Sequence, residues 1–327
     1  YATQQRAQNA GPVQKSTGFF LIFTIAFTND ERAMTDNYSR YFPVSARDER
    51  WGIYLLGCGA SKLRKGINFP LRNHPSHHYF SWKRGRVLPE YQIFYLLKGE
   101  GVLETRESGF RPLPAGSMVF LFPHVWHRYK PLPDEEWHTF WASFNGPTAR
   151  HLMNQLRCSP ESPIQKIGLQ QPVIQRFLQL LETSRSEFTG YQQVLAGELC
   201  TLLGWLHALQ RKETFSDHDI DALMQRARLI ILNSPSDTSM ETVADALNMG
   251  YSKFRKIFRQ YTGMAPKQYQ MQLRLQKAIH LLSDESRSIK EIARECDFAS
   301  PYYFSRMFKR KTGYSPQQYR RRMWGQK

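Results

Sequence analysis

The sequence predicts a multidomain α+β chain, with an all-β front domain, a helical segment behind it and an all-α tail. Three observations carry this. Residues 243–269 and 292–319 write one pattern twice, as VADALNMGYSKFRKIFRQYTGMAPKQY and IARECDFASPYYFSRMFKRKTGYSPQQY. Between residues 38 and 145, short apolar runs alternate with turns rich in Gly and Pro. Between residues 146 and 210, apolar residues recur at helical spacing instead. The expected division is an extension at 1–37, a β domain at 38–145, a helical segment at 146–210, a linker at 211–218 and an α domain at 219–327.

The extension holds a ten-residue apolar run, GFFLIFTIAF, which is too short to span a bilayer. Few positive charges precede it and no clean cleavage site follows it, so a signal peptide is not favoured. Residues 1–33 are expected to be disordered or artefactual, ahead of a natural start at Met34.

In the front domain the strands are expected at Gly52–Leu56, Gln92–Leu97, Ser117–Phe122 and Thr139–Phe144. Tight turns at Lys98-Gly99-Glu100-Gly101 and Pro114-Ala115-Gly116 separate them, a spacing that suits a sandwich or barrel. The phrases LLKGEGVLE and LPAGSMVFLFPHVWHRY resemble a cupin jelly roll.

A metal-binding cupin needs a His-x-His pair with a following Glu, and this chain has none. His77 and His78 are adjacent, so on a strand they would point to opposite faces. No metal and no other cofactor is expected, and His127 reads as a buried strand-end residue. A small-molecule pocket is favoured, its mouth lined by Trp82, Arg84, Tyr129, Trp137, His138, Thr139 and Trp141. Aromatic faces stack on the C–H face of a sugar, and an Arg donates several hydrogen bonds to hydroxyls or a carboxylate. Against this stands the plain alternative that these aromatics are core.

In the helical segment, helices are expected over Gln171–Arg185 and Gln192–Gln210. The second carries a wide stripe of Val194, Leu195, Leu199, Leu202, Leu203, Leu206 and Leu209. Such a stripe serves either packing on the β domain or a homodimer seam.

In the tail, Val243, Ala244, Ala246 and Leu247 form a short buried face, as do Ile292, Ala293 and Cys296. A turn follows each, then a helix with Phe254, Ile257 and Phe258 inward, or Phe304, Met307 and Phe308. The opposite faces carry Ser252, Lys253, Arg255, Lys256 and Arg259, then Tyr302, Tyr303, Ser305, Arg306 and Lys309. Gly263 and Gly313 are expected as C-terminal caps, and Ser315 with Gln318 as a capping box. A long helix near Pro266–Leu282 joins the two units and fixes their spacing. One such unit alone is equally well a helical pair with a solvated basic face; two matched copies argue for DNA reading.

Charge agrees. The chain has 327 residues and a net charge of +17. Residues 219–327 hold 20 Lys/Arg against 10 Asp/Glu, a surplus of +10. That favours a polyanion partner and counterion release on binding. Cys58, Cys158, Cys200 and Cys296 lack paired spacing and read as reduced thiols of a cytoplasmic protein.

The repeated tail resembles the DNA-binding domain of the AraC/XylS family of bacterial transcription regulators, and the front domain is similar to that family's effector domain. The resemblance implies a homodimeric, sequence-specific regulator of double-stranded DNA that answers to a sugar or sugar acid. RNA polymerase stands as a further partner, and neither enzyme activity nor a membrane role is implied. By comparison with the arabinose-responsive member, the effector residues are Arg84, Tyr129 and Trp141, with Trp82 nearby and Thr139 where that member has a His. The rival readings are a constitutive regulator with a vestigial pocket and a cupin-type sugar enzyme fused to a DNA anchor.

Overall fold

The computed structural model describes residues 37–66, 69, 81–213, 218–235 and 238–325. The expected extension, with Met34, and the cluster His74, His77 and His78 lie outside the described residues. Contacts divide the chain into two compact units that part between Thr214 and Phe215.

Among the described residues the first unit holds nine antiparallel strands: β1 Tyr38–Tyr41, β2 Tyr54–Leu63, β3 Tyr91–Lys98, β4 Gly101–Thr105, β5 Gly109–Leu113, β6 Ser117–Leu121, β7 His127–Pro131, β8 Trp137–Asn145 and β9 Ile164–Lys166. A six-stranded sheet runs in the order β1-β2-β8-β3-β6-β9, and a three-stranded sheet in the order β5-β4-β7. All four expected strands are present. The others are short or polar on both faces, which hides them from apolar alternation. Strand β9 lies within the expected helical segment yet hydrogen-bonds to β6, so the sheet extends past residue 145.

Alternation along β8 defines the two faces of the large sheet. Trp137 and Trp141 pack with Phe94, Leu96, Val119 and Leu121 and with Leu103 and Leu113 of the small sheet, forming the sandwich interior. Phe140, Ala142 and Phe144 face the other way, against helices. Glycines on β2 make room inside: a Cβ at Gly59 would sit 2.4 Å from the Tyr38 carbonyl oxygen and 2.5 Å from the Trp141 indole nitrogen.

Four helices accompany these strands among the described residues: α1 Ala46–Arg50, α2 Pro147–Gln155, α3 Gln171–Ser186 and α4 Tyr191–Glu213. The hydroxyl of Tyr95 accepts from the Gln170 N–H at 2.8 Å and fixes the start of α3. Helix α4 decides one open alternative and corrects one expectation. Its leucines at 195, 199, 202, 203 and 206 are buried against the sheet and α3, so they are spent within the chain. Val194 leaves that stripe and is exposed. The helix also continues through Arg211–Glu213, and the next begins at His218, so the expected linker is helical at both ends.

The second unit holds α5 His218–Asn233, α6 Met240–Asp245, α7 Tyr251–Thr262, α8 Pro266–Leu281, α9 Ile289–Glu295, α10 Pro301–Thr312 and α11 Pro316–Met323. It has two cores. Helices α5, α6 and α7 close around Met224, Val243, Phe254 and Phe258, with Tyr269 and Leu273 of α8 at the edge. Helices α9, α10 and α11 close around Ile292, Phe304 and Phe308, with Leu275 and Ala278 of the same α8. One helix thus serves both cores.

The repeat in sequence is a repeat in hydrogen bonding. Ser239 and Ser288 cap α6 and α9. The left-handed residue in each turn is Asn248 (φ 52°) or Asp297 (φ 55°), residue types that tolerate it, while Gly250 has an ordinary φ of −64°. The Thr262 hydroxyl donates to the Phe258 carbonyl and accepts from the Met264 N–H; Thr312 does the same with Phe308 and Tyr314. Gly263 and Gly313 follow at φ 79° and 83° as helix caps. Tyr269 and Tyr319 then meet Phe258 and Phe308 edge-on at 5.4 and 5.3 Å. Ser315 and Gln318 complete a capping box, whereas Ala265 has only half of one, accepting nothing but donating its N–H to Gln268.

Candidate effector site and nucleic-acid interface

Among the described residues, a cluster of polar side chains around Arg86 enters the interior of the sandwich. Arg86 joins the edge of β7 through paired backbone bonds with His127. Its Nε donates to His127 Nε2 at 3.1 Å and one Nη to Gln92 Oε1 at 2.7 Å. Its guanidinium carbon lies 5.8 Å from the Tyr129 ring centre. Because Nε2 of His127 accepts, its proton sits on Nδ1, which donates to the Val125 carbonyl at 3.1 Å. Burial, with the Arg86 charge second, pushes His127 down to about 3, so the ring is neutral. Both ring nitrogens are committed within the protein.

Around Arg86 stand groups suited to a polar ligand with an apolar face. Tyr41 packs its ring 5.5 Å from Trp141. Burial raises the Tyr41 hydroxyl above its usual range; Arg86 opposes this, while Tyr129 and Glu90 reinforce it. Tyr129 lies 4.7 Å from Phe94 and 5.6 Å from Phe69. The buried Ser143 hydroxyl, on the strand position beside Gln92, has no hydrogen-bond partner among the described residues.

Of the effector residues expected from sequence, Tyr129, Thr139 and Trp141 share the interior face, with Trp137. His138 alternates to the opposite face of β8. Arg84 and Trp82 do not join them. A turn closed by the Ser81–Gly85 bridge leaves Arg84 exposed, and Arg86 is the arginine that enters the interior. Trp82 lies over the outer face of the small sheet, its ring 4.4 Å from the Arg128 guanidinium and 4.5 Å from the Lys130 ammonium. Arg128 and Lys130 alternate with the inward Tyr129, which fixes that face as the outer one.

In the second unit, α7 buries Phe254 and Phe258 and exposes Ser252, Lys253, Arg255, Lys256 and Arg259. Helix α10 buries Phe304 and Phe308 and exposes Tyr302, Arg306 and Lys309. Tyr302 is 77 % exposed, a large apolar ring held out to solvent at the start of the helix. Ser305 and Tyr303 are half-buried; Tyr303 leans on Phe298 at 6.3 Å. The expected residues therefore form one cationic face on α7 and one mixed aromatic and cationic face on α10. No helix among the described residues is long and apolar enough to cross a membrane.

Two family profiles match this chain. One, described as AraC-like ligand binding domain, matches residues 69–227; the other, described as helix-turn-helix domain, matches residues 243–322. The chain belongs to the AraC/XylS family. The MmsAB operon regulatory protein of Pseudomonas aeruginosa is 27% identical over 237 residues, covering 72% of this chain and 76% of that protein. The lactose operon transcription activator of Staphylococcus xylosus is 27% identical over 242 residues, covering 72% of this chain and 85% of that one. Among solved structures, the C-terminal domain of AraT from Geobacillus stearothermophilus is 35% identical, covers 31% of this chain and 84% of that chain, and superposes with a TM-score of 0.29.

As an AraC-family member the protein is a DNA-binding transcription regulator with a ligand-binding domain, not an enzyme. Sequence reasoning missed Tyr41, Arg86, Glu90 and Gln92 as members of the interior cluster. Arg86 and Gln92 stood in plain view beside the expected residues, but only the turn at 81–85 decides which arginine faces inward.

Proposed function

We propose that this AraC-family regulator binds a sugar or sugar acid in the sandwich interior around Arg86, and that this couples to its action on promoter DNA in the cytoplasm. The observation that carries the reading is a guanidinium set among aromatic rings inside the front unit. A guanidinium donates to hydroxyls and carboxylates, while Tyr41, Tyr129 and Trp141 offer faces for C–H groups. The name of the Staphylococcus xylosus relative, a lactose operon activator, supports a carbohydrate class. Calorimetric titration of a sugar and sugar-acid panel tests this. Arg86→Gln is expected to weaken the binding ligand at least tenfold and Arg84→Ala to leave it unchanged; equal affinity in Arg86→Gln overturns the assignment.

The two helices α7 and α10 are proposed to read successive major-groove segments on one face of the duplex, through Ser252, Lys253, Arg255, Lys256 and Arg259 and through Tyr302, Ser305, Arg306 and Lys309. RNA polymerase is the proposed partner on activated promoters. Homodimerisation is proposed through the open face of α4, where Val194, Gly197, Thr201, Gly204, Trp205 and Ala208 recur at helical spacing. Val194 and Trp205 are each 42% exposed, and a Cβ at Gly197 or Gly204 would meet nothing within 4 Å. Two glycines that cost helix stability without serving the chain suit close approach by a second helix. Sedimentation of Gly204→Leu, expected to be monomeric, tests this; a dimer unchanged in affinity overturns it.

A further inference from the structure

The DNA-binding unit contains a groove of about 870 Å³ between α8 and the second helix-turn-helix. Four cations line it: Lys267 and Arg274 from α8, Lys290 and Arg294 from α9. Two acids share the lining, Glu291 and Asp297. The Glu291 carboxylate is already engaged in capping α9, accepting from the Ser288 N–H at 2.8 Å. Lys267 and Lys290 are exposed and make no hydrogen bond or ion pair among the described residues. The groove is therefore cationic, with two ammonium groups that make no ion pair among the described residues.

Its position matters as much as its charge. The groove ends at Ser300, Pro301 and Tyr303, the first turn of α10. Tyr303 links groove and helix, with its ring beside Phe298 of the groove lining and the Arg306 guanidinium 5.8 Å from its centre. A helix lying in the major groove, about 12 Å wide, has a phosphate strand on each side. A cation-lined channel that opens beside the first turn of such a helix meets one of those strands.

We propose that this groove seats the sugar-phosphate backbone of the strand bordering the major groove that α10 reads, with Lys267 and Lys290 as the neutralising contacts. The proposal rests on α10 being a reading helix. Phosphate contacts of this kind set register and affinity without reading sequence. They also free α10 to present Tyr302 and Arg306 to base edges.

The test uses the full chain and the duplex that it recovers from binding-site selection. Phosphate-ethylation interference is mapped for the unmodified chain and for Lys267→Gln/Lys290→Gln. The unmodified chain is expected to be blocked by ethylation at phosphates flanking the α10 half-site, and the double variant to lose that block. The slope of log K against log salt should become shallower by about 0.9 for each lysine removed, with selected and random duplexes weakened alike. An unchanged interference map and salt slope overturn the proposal, as does a changed sequence preference, which would assign the lysines to base reading. Failure of the unmodified chain to select any sequence strikes instead at the reading-helix assignment.

Discussion

Arg86 donates from Nε to Nε2 of His127 at 3.1 Å, and so places a permanent cation against a neutral imidazole in the interior of the front unit. A cation beside a buried base resists its protonation. The pair therefore couples the integrity of the interior to pH.

His127 is held at about 3, well below the ordinary histidine value of 6.5. Between those values the unfolded chain binds a proton that the folded chain does not, so stability rises with pH. The contribution is fully present above pH 6.5 and is lost as pH falls toward 3, amounting to a few kcal/mol over the whole window. Thermal unfolding of the front unit at pH 7 to 5, above the range of most carboxylates, should show this decline. His127→Gln removes the titrating ring and should flatten this decline; a slope unchanged in that variant would show that His127 is not its source.

Gly59→Ala should destabilise the front unit by about 1–3 kcal/mol, since the new methyl meets a backbone carbonyl and the Trp141 indole at once. The melting temperature of that unit should fall while the DNA affinity of the second unit stays as it was. No shift in melting would mean that β1 and Trp141 move aside freely.

Thr262→Val and Thr312→Val should each cost about 1 kcal/mol in urea unfolding of the second unit. Each removes a hydroxyl that ties a helix end to the strand-like turn after its glycine. The two costs should match, because the two sites match bond for bond. A large difference between them would break the structural equivalence of the repeats.

Arg255 is exposed in mid-helix on α7, whereas its aligned position on α10 is the half-buried Ser305. An Arg so placed can reach guanine O6 and N7, a contact worth roughly 1–3 kcal/mol of discrimination. Arg255→Ala is expected to relax preference at one or two base pairs, and Lys309→Ala, in the last turn of α10, to weaken all sequences equally. Binding-site selection with both variants decides; an unchanged sequence logo for Arg255→Ala makes it a phosphate contact.

Legibility in the sequence followed the locality of the physics. The Phe pairs, Thr-Gly ends and Gln-Tyr starts of the tail are set by residues within one or two turns, and writing them twice made them unmistakable. Arg86 was not legible, because its entry into the interior depends on a bridge between Ser81 and Gly85 and on pairing with His127, 41 residues away. Trp82 went to the outer face for the same reason. The leucines of α4 announced a wide buried stripe but not its partner. That partner is helix α3 together with strand β2, whose own apolar residues could as well have faced the sandwich interior.

Helix α8 has 16 residues and carries a side of each core in the second unit. At about 1.5 Å and about 100° per residue, one inserted residue would move the second head only slightly but rotate it by more than a quarter turn. Substitutions on this helix can tune affinity by degrees, but an insertion or deletion is an error of phase. On the proposed reading, such a change would aim α10 away from the duplex while every reading residue remained intact. If the two helices read DNA as proposed, substitutions could change the preferred bases one at a time, while the distance between the two segments read would change only with the length of this helix.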